Sequence, residues 1–264
     1  MTTLPSDPGS PTPRETGGGG VSLSVVIPAY NEERRIVPTL KAVAGYLARR
    51  GWGAEILVVD DGSTDGTAGL VSEIAGSVPG LRLVRNERNR GKGFSIRHGF
   101  AECRGPLVLL TDADLSTPIE EIEKLLPAVR EEGNGIAVGS RGLDPSTVEV
   151  PQGWLRRTMG KGFNVIVRTL TGLSIRDTQC GFKLLKRDLF VPIFRAARVD
   201  RFSYDVEILY LAHHRGIRVA EVPVIWRNSP QSRVSFVRDS VQMFCDVVRI
   251  VLRERMGRYR EPAP

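Results

Sequence analysis

Thiols are scarce: Cys103, Cys180 and Cys245 are the three in 264 residues. Their odd number, wide separation and lack of ligand-like spacing exclude a disulfide framework and a zinc-finger set, and fit a reducing cytosol. Aromatic residues make up 6% of the chain, too few to suggest a stacking platform for single-stranded nucleic acid. No groove-reading motif accompanies the positive charge, so no nucleic-acid partner is expected. Long apolar runs are missing as well. A spanning helix needs about 20 apolar residues, and Asp246, Arg249 and Arg253 interrupt the most apolar C-terminal stretch. Any membrane contact is therefore expected to be peripheral. Residues 1–20 are rich in Pro, Gly, Ser and Thr and lack the apolar core of a signal peptide, which reads as a flexible tail.

Negative charge is short in one half only. Residues 1–148 hold 16 Lys/Arg against 19 Asp/Glu, whereas residues 149–264 hold 21 against 11. A basic half on a chain of net charge +7 points to an anionic partner such as the anionic face of a membrane.

Apolar β-branched runs alternate with helical patterns. Strands are expected at 23–31, 54–62, 81–87, 106–114 and 135–141, with helices at 32–50, 65–77, 91–104 and 118–132. Continuously apolar strands between helices imply an open, mostly parallel α/β sheet of Rossmann-like type, covered on both faces. Further on, the pattern predicts a helix at 154–171, a turn-rich segment at 172–184, helices at 186–196 and 204–215, a strand at 217–226 and a helix at 236–254. The expected organisation is a tail (1–20), one domain (21–235), and a C-terminal amphipathic basic helix with its tail (236–264).

Ligands of open α/β sheets bind beyond the carboxyl ends of the strands, and the polar clusters fall there: Tyr30-Asn31-Glu32, Asp60-Asp61, Asp112-Ala113-Asp114 and Ser140-Arg141. An alternating carboxylate pair such as Asp112/Asp114 can hold a hard divalent ion that bridges to a diphosphate, although carboxylates at strand ends also cap the next helix. In order along the chain come PAYNEE (28–33), DDGSTDGT (60–67) and DADLS (112–116). As a set they resemble family 2 inverting glycosyltransferases of the GT-A fold. NRGKGFSIRHGF (89–100), GSR (139–141), DTQCGFKLLKRDLF (177–190), RFSYDVEILYLA (201–212) and VPVIWRNSPQSRVSF (222–236) resemble the branch of that family that glucosylates dolichyl or other polyprenyl phosphates.

That resemblance implies a nucleotide-sugar donor, by preference UDP-glucose, a polyprenyl phosphate acceptor, and Mg or Mn as cofactor. It also implies a peripheral site at the cytosolic face of a membrane, with self-association or a separate membrane partner as further possibilities. Pro28, Tyr30, Glu32 and Asp61 would hold the nucleoside, with Lys92 beside it and Asp112 facing the ribose or a phosphate. Asp114 would bind the metal. Ser116 stands where several relatives have a longer Gln. Arg141, Arg227 and Arg233 would meet phosphates, and Gln179 would lie on the acceptor side. Arg141, Asp177 and Asp205 are the catalytic candidates. Asp177 in a turn and Asp205 at a helix start have structural readings too. A phosphate acceptor, largely dianionic with a second pKa of about 6, needs cations more than a base. A glycan or small-molecule hydroxyl acceptor, or a mannosyl or N-acetylhexosaminyl donor, is the alternative. For the last helix, Val237, Val241, Phe244, Val248 and Val251 recur at helical spacing beside several arginines, which suits either lipid or the domain's own core.

Overall fold

The computed structural model describes residues 20–141, 143, 148–150, 154–227 and 236–259, without the side chains of 148–150, 154–161 and 236–240. Residues 1–19 of the expected tail (1–20) and Arg233 lie outside the described residues, as do the side chains of Arg156, Arg157 and Lys161.

The strands are β1 (Leu23–Ala29), β2 (Ala54–Asp60), β3 (Leu81–Arg85), β4 (Leu107–Leu110), β5 (Asn134–Ser140), β6 (Val148–Val150), β7 (Lys183–Lys186), β8 (Arg218–Pro223) and β9 (Trp226–Arg227). The helices are α1 (Ile36–Arg50), α2 (Thr67–Ala75), α3 (Lys92–Ala101), α4 (Ile122–Arg130), α5 (Trp154–Thr171), α6 (Arg187–Ala196), α7 (Tyr204–His214) and α8 (Phe236–Arg255). Seven strands form one sheet in the order β3-β2-β1-β4-β7-β5-β8, and β6 with β9 forms a separate small ribbon. Apart from β7, which runs antiparallel to both β4 and β5, the sheet is parallel.

The sheet separates two cores, which explains the nearly unbroken apolar character of β1, β2 and β4. Val25 and Ile27 face α1 and α4 through Leu40, Val43, Ile122 and Leu125. Val26 and Leu57 face α3, α6 and α7 through Ile96, Phe100, Phe194 and Ile208. The mostly parallel, helix-flanked sheet read from the sequence is thus the one found.

Two local readings change. The turn-rich segment at 172–184 ends in β7, which begins at Lys183 and sits in the middle of the sheet. The expected strand at 217–226 divides into β8, ending at Pro223 on the sheet edge, and β9 in the small ribbon. Proline is tolerated at an edge because no second ladder requires its missing N–H.

Candidate active site

The carboxyl ends of β1, β2 and β4 are laced together by side chains. The backbone N–H of Asn31 donates to Ser63 Oγ (2.9 Å), that of Glu32 to Thr67 Oγ1 (2.7 Å), and that of Thr64 to Asn31 Oδ1 (2.8 Å). PAYNEE and DDGSTDGT therefore form one clasp. Asn31 adopts a left-handed φ of 54°, an uncommon conformation for a residue with a side chain, though least so for Asn. Tyr30 projects partly into solvent at this rim. Pro28 lies beyond the last β1–β4 pair, Val26 with Leu110, where its missing N–H breaks no bond on that side. Arg35 grips Glu32 through two 2.7 Å bonds and approaches Asp114 at 3.8 Å.

Asp61 faces the loop after β3. Its carboxylate accepts the backbone N–H groups of Gly91 (2.7 Å) and Arg90 (3.0 Å) and the Asn86 amide (2.8 Å). Gly91 has φ 104°, and a side chain there would strike the carbonyl of Asp200, so glycine is required on two counts. The loop delivers Lys92, whose Nζ lies 2.5 Å from Asp112 Oδ1. Burial alone would lower the Lys92 pKa, but Asp112, with Asp205 adding to it, outweighs burial and raises it to about 12. Burial opposes ionisation of Asp112 too, and Lys92 more than offsets it, holding that carboxyl below its usual range. A side chain at Gly181 would collide with the Asp112 carboxylate, which locates the CGF turn directly against it.

Asp114 is partly exposed and accepts the backbone N–H of Ser116 at 3.0 Å. Between them Leu115 holds φ 46°, a strained conformation of the sort found where a loop is over-determined at a working site. The Ser116 carbonyl accepts the N–H of Arg227 (2.7 Å), and Glu121 accepts that of Ile225 (2.9 Å), so the β8–β9 connection is fastened onto this loop. Among the described residues no three His, Cys, Asp or Glu side chains form a metal cage. One hard carboxylate at the crevice edge does suit an ion whose remaining ligands are phosphates and water.

The far wall is built on ion pairs. Arg141 binds Asp177 in fork-to-fork fashion (2.7 and 2.8 Å), and its backbone N–H donates to the same carboxylate (3.0 Å). Burial opposes the charge on Asp177, but Arg141 prevails and keeps its pKa low. The backbone N–H of Asp177 donates to Glu221 of β8 (2.8 Å), and the Arg141 guanidinium lies 5.4 Å from the Trp226 ring. Next to this, Lys183 is fully buried and donates to Asp205 and to the Cys180 carbonyl. Burial pushes the Asp205 carboxyl above the usual range even though Lys183 and Lys92 pull the other way. Gln179 places its amide 3.9 Å from Met243 Sδ, a weak contact that brings α8 to this edge.

The structure thus gathers Lys92, Asp112, Asp114, Arg141, Asp177 and Asp205 at one crevice, with Glu32 reaching it through Arg35. Asp61 supports the crevice from behind, and Gln179 and Arg227 lie at its margin. Lys183, Glu221 and Trp226 escaped the sequence reading. A lone Lys inside the apolar FKLL run was the available hint for the first, while nothing local marked the other two.

Residues 24–194 match the family model for glycosyl transferase family 2. The chain belongs to glycosyl transferase family 2. It is 36% identical to the dolichyl-phosphate beta-glucosyltransferase of Dictyostelium discoideum, covering 90% of this chain and 76% of that one. In fold it resembles mannosyl-3-phosphoglycerate synthase of Rubrobacter xylanophilus (TM-score 0.68, 22% identity, 92% of this chain and 77% of that one). It also resembles glucosyl-3-phosphoglycerate synthase of Mycobacterium tuberculosis, solved with Mn2+, UDP-glucose and phosphoglyceric acid (TM-score 0.61, 20% identity, 92% and 81%). These likenesses establish a glycosyltransferase of family 2 on an α/β scaffold, with the motif-bearing crevice as its candidate centre.

Proposed function

We propose that this glycosyltransferase transfers glucose from UDP-glucose to a polyprenyl phosphate of the dolichyl type, with inversion at the anomeric carbon. The observation that carries this reading is the likeness, over 90% of the chain, to a dolichyl-phosphate beta-glucosyltransferase. The Arg141 guanidinium on the far wall, oriented by Asp177, supports a phosphate-bearing acceptor. An acceptor phosphate oxygen forms the new bond to the anomeric carbon while the bond to the diphosphate breaks, and UDP leaves with the electron pair.

In this reading Tyr30, Pro28 and Glu32 border the nucleoside, and Asp61 acts by fixing the loop that presents Lys92. Asp114 would hold a divalent Mg or Mn ion, which would supply charge stabilisation to the departing diphosphate. Lys92, steered by Asp112, adds a permanent positive charge beside that group. Arg141, oriented by Asp177, meets the acceptor phosphate, with Arg227 and Arg233 as further candidates. Because a phosphomonoester is already ionised, no side chain has to remove its proton. The buried pairing of Asp205 with Lys183 fits that view and disfavours a hydroxyl acceptor, which would need a free carboxylate.

Among the described residues no helix is long and apolar enough to cross a membrane, yet the acceptor would sit in one. One stripe of α8 (Val247, Ile250, Val251) is buried in the domain's own core, while Val241, Phe244, Leu252 and Met256 are exposed. Val165, Ile166 and Leu170 are exposed on α5, which packs beside α8. Grouped exposed apolar side chains mark an interaction surface, and this one would rest on the cytosolic leaflet. The test is incubation with labelled UDP-glucose, Mn2+ and a polyprenyl phosphate. Label in an organic-extractable lipid supports the reading, and label confined to water-soluble product overturns it.

A further inference from the structure

Away from this crevice, α3 and α6 enclose a groove of about 990 Å³. Its floor is apolar, built from Phe94, Phe100, Val191 and Phe194, and seven arginines line it against two acids, Glu87 and Asp200. Such a surplus of one sign raises the local positive potential and attracts anions. Three of the arginines are engaged with carboxylates: Arg97 with Asp200, Arg85 with the buried Asp60 at 3.3 Å, and Arg187 with Asp188 at a looser 3.8 Å. No ion pair joins Arg88, Arg90, Arg195 or Arg198 to an acid among the described residues.

Two details indicate that the groove is built for a ligand rather than being a merely solvated basic face. The Nε of Arg187, a residue lining the groove, is buried without an acceptor among the described residues, a costly state. Arg90 stacks 3.5 Å over the Phe94 ring, with Arg97 at 5.7 Å from the same ring, so both guanidinium groups are held at the apolar floor. An apolar floor beneath an arginine rim is complementary to an amphiphile with an anionic phosphate head. Guanidinium forks match phosphate oxygens, and the floor accepts methylene groups.

We propose that this α3–α6 groove binds an anionic phospholipid of the bilayer that carries the acceptor. The inference rests on the lipid-phosphate reading above and adds a second membrane contact beside the apolar face of α5 and α8. The loop that forms one wall is the one Asp61 holds, and His98 of the groove bonds Asn86 (2.7 Å), which bonds Asp61.

The experiment is co-sedimentation of the full chain with phosphatidylcholine vesicles, with and without phosphatidylglycerol, in the absence of any sugar donor. Each arginine near an anionic surface is worth about a fivefold change in partitioning. The triple variant Arg88→Glu, Arg195→Glu, Arg198→Glu should therefore lose at least about tenfold on phosphatidylglycerol vesicles, fall to the phosphatidylcholine level, and keep its far-UV spectrum and its transfer to a detergent-dispersed short polyprenyl phosphate. Phe244→Ser with Leu252→Ser should weaken binding to both vesicles alike. Undiminished binding of the arginine variant to phosphatidylglycerol overturns the proposal. So does loss of the phosphatidylglycerol preference in the α8 variant. A groove that serves free anions would show itself if inorganic phosphate abolished the preference while chloride of equal ionic strength did not, and that too overturns the lipid assignment. Absence of sugar transfer with an arginine-dependent preference intact would overturn the functional reading alone.

Discussion

Two Lys–Asp pairs flank the crevice, and they differ in exposure and in the charges around them. Lys92–Asp112, between the start of α3 and the end of β4, is partly open to solvent, and its aspartate is held below the ordinary range. Lys183–Asp205 on the far side is shut off from solvent, and its aspartate is pushed above that range. The comparison shows that a short ion pair is not one kind of interaction. At Asp112 the cations Lys92, Lys183 and Arg141 together outweigh lost hydration, whereas at Asp205 lost hydration, with the charge of Asp112 added, outweighs Lys183 and Lys92. The first pair is suited to meeting a charged ligand, and the second to fixing the turn that backs Asp112.

The sharpest way to break the comparison lies beside the Lys92–Asp112 pair. Asp114→Asn should cut transfer by about 10²–10³-fold, remove its dependence on added Mn2+, and leave the urea midpoint unchanged. A loss of stability equal to wild-type unfolding would show the residue to be structural. Next, Lys183→Met leaves Asp205 unpaired in the interior and should cost about 3–5 kcal/mol in urea denaturation, with Lys183→Met/Asp205→Leu recovering most of it. Lys92→Met, by contrast, should cost no more than about 1 kcal/mol of stability while transfer falls by roughly 10²-fold. Equal stability losses in the two lysine variants would dissolve the distinction. Arg141→Lys keeps the charge but loses the two-pronged geometry, so the KM for the phosphate acceptor should rise by about tenfold with a smaller change in kcat.

The smallest expected effect is on pH dependence, and it has opposite signs at the two pairs. An aspartate whose folded pKa is depressed, as at Asp112 and Asp177, stabilises above its unfolded value of about 3.9, and that stability is lost as pH falls through the folded value. An aspartate whose folded pKa is raised, as at Asp205, stabilises below about 3.9 and loses that contribution as pH rises through the folded value. Urea midpoints between acid and neutral pH should therefore show Asp112→Asn flattening the acid-side loss. Asp205→Asn should remove the decline on the higher-pH side. Identical profiles for the two variants would contradict the opposite signs.

Legibility in the sequence follows the same divide. The ends of β1, β2 and β4 were readable because these strands are nearly unbroken apolar runs, each ending in a conspicuous polar cluster, and chain topology then fixes where those ends meet. β7 was not readable. Its four residues, KLLK, neither alternate nor run apolar, and Lys183 looks like a surface residue until Asp205 of α7 is brought beside it by the fold. In the same way, the apolar positions of α8 announced an amphipathic helix, but not that one stripe faces the core while a second is exposed.

By itself the sequence determined the order of elements, the mostly parallel sheet, the motifs at the strand ends and the family, because these depend on local periodicity and on residue types at fixed spacing. Only the tertiary structure decided that Asp61 supports a loop, that Asp177 orients Arg141, that a buried lysine neutralises Asp205, and that arginines from β3, the loop after it, α3 and α6 share one groove. The physical reason is common to all four. Each depends on which distant charge lies within a few ångströms and on how much water remains between them, and neither quantity is encoded in sequence spacing.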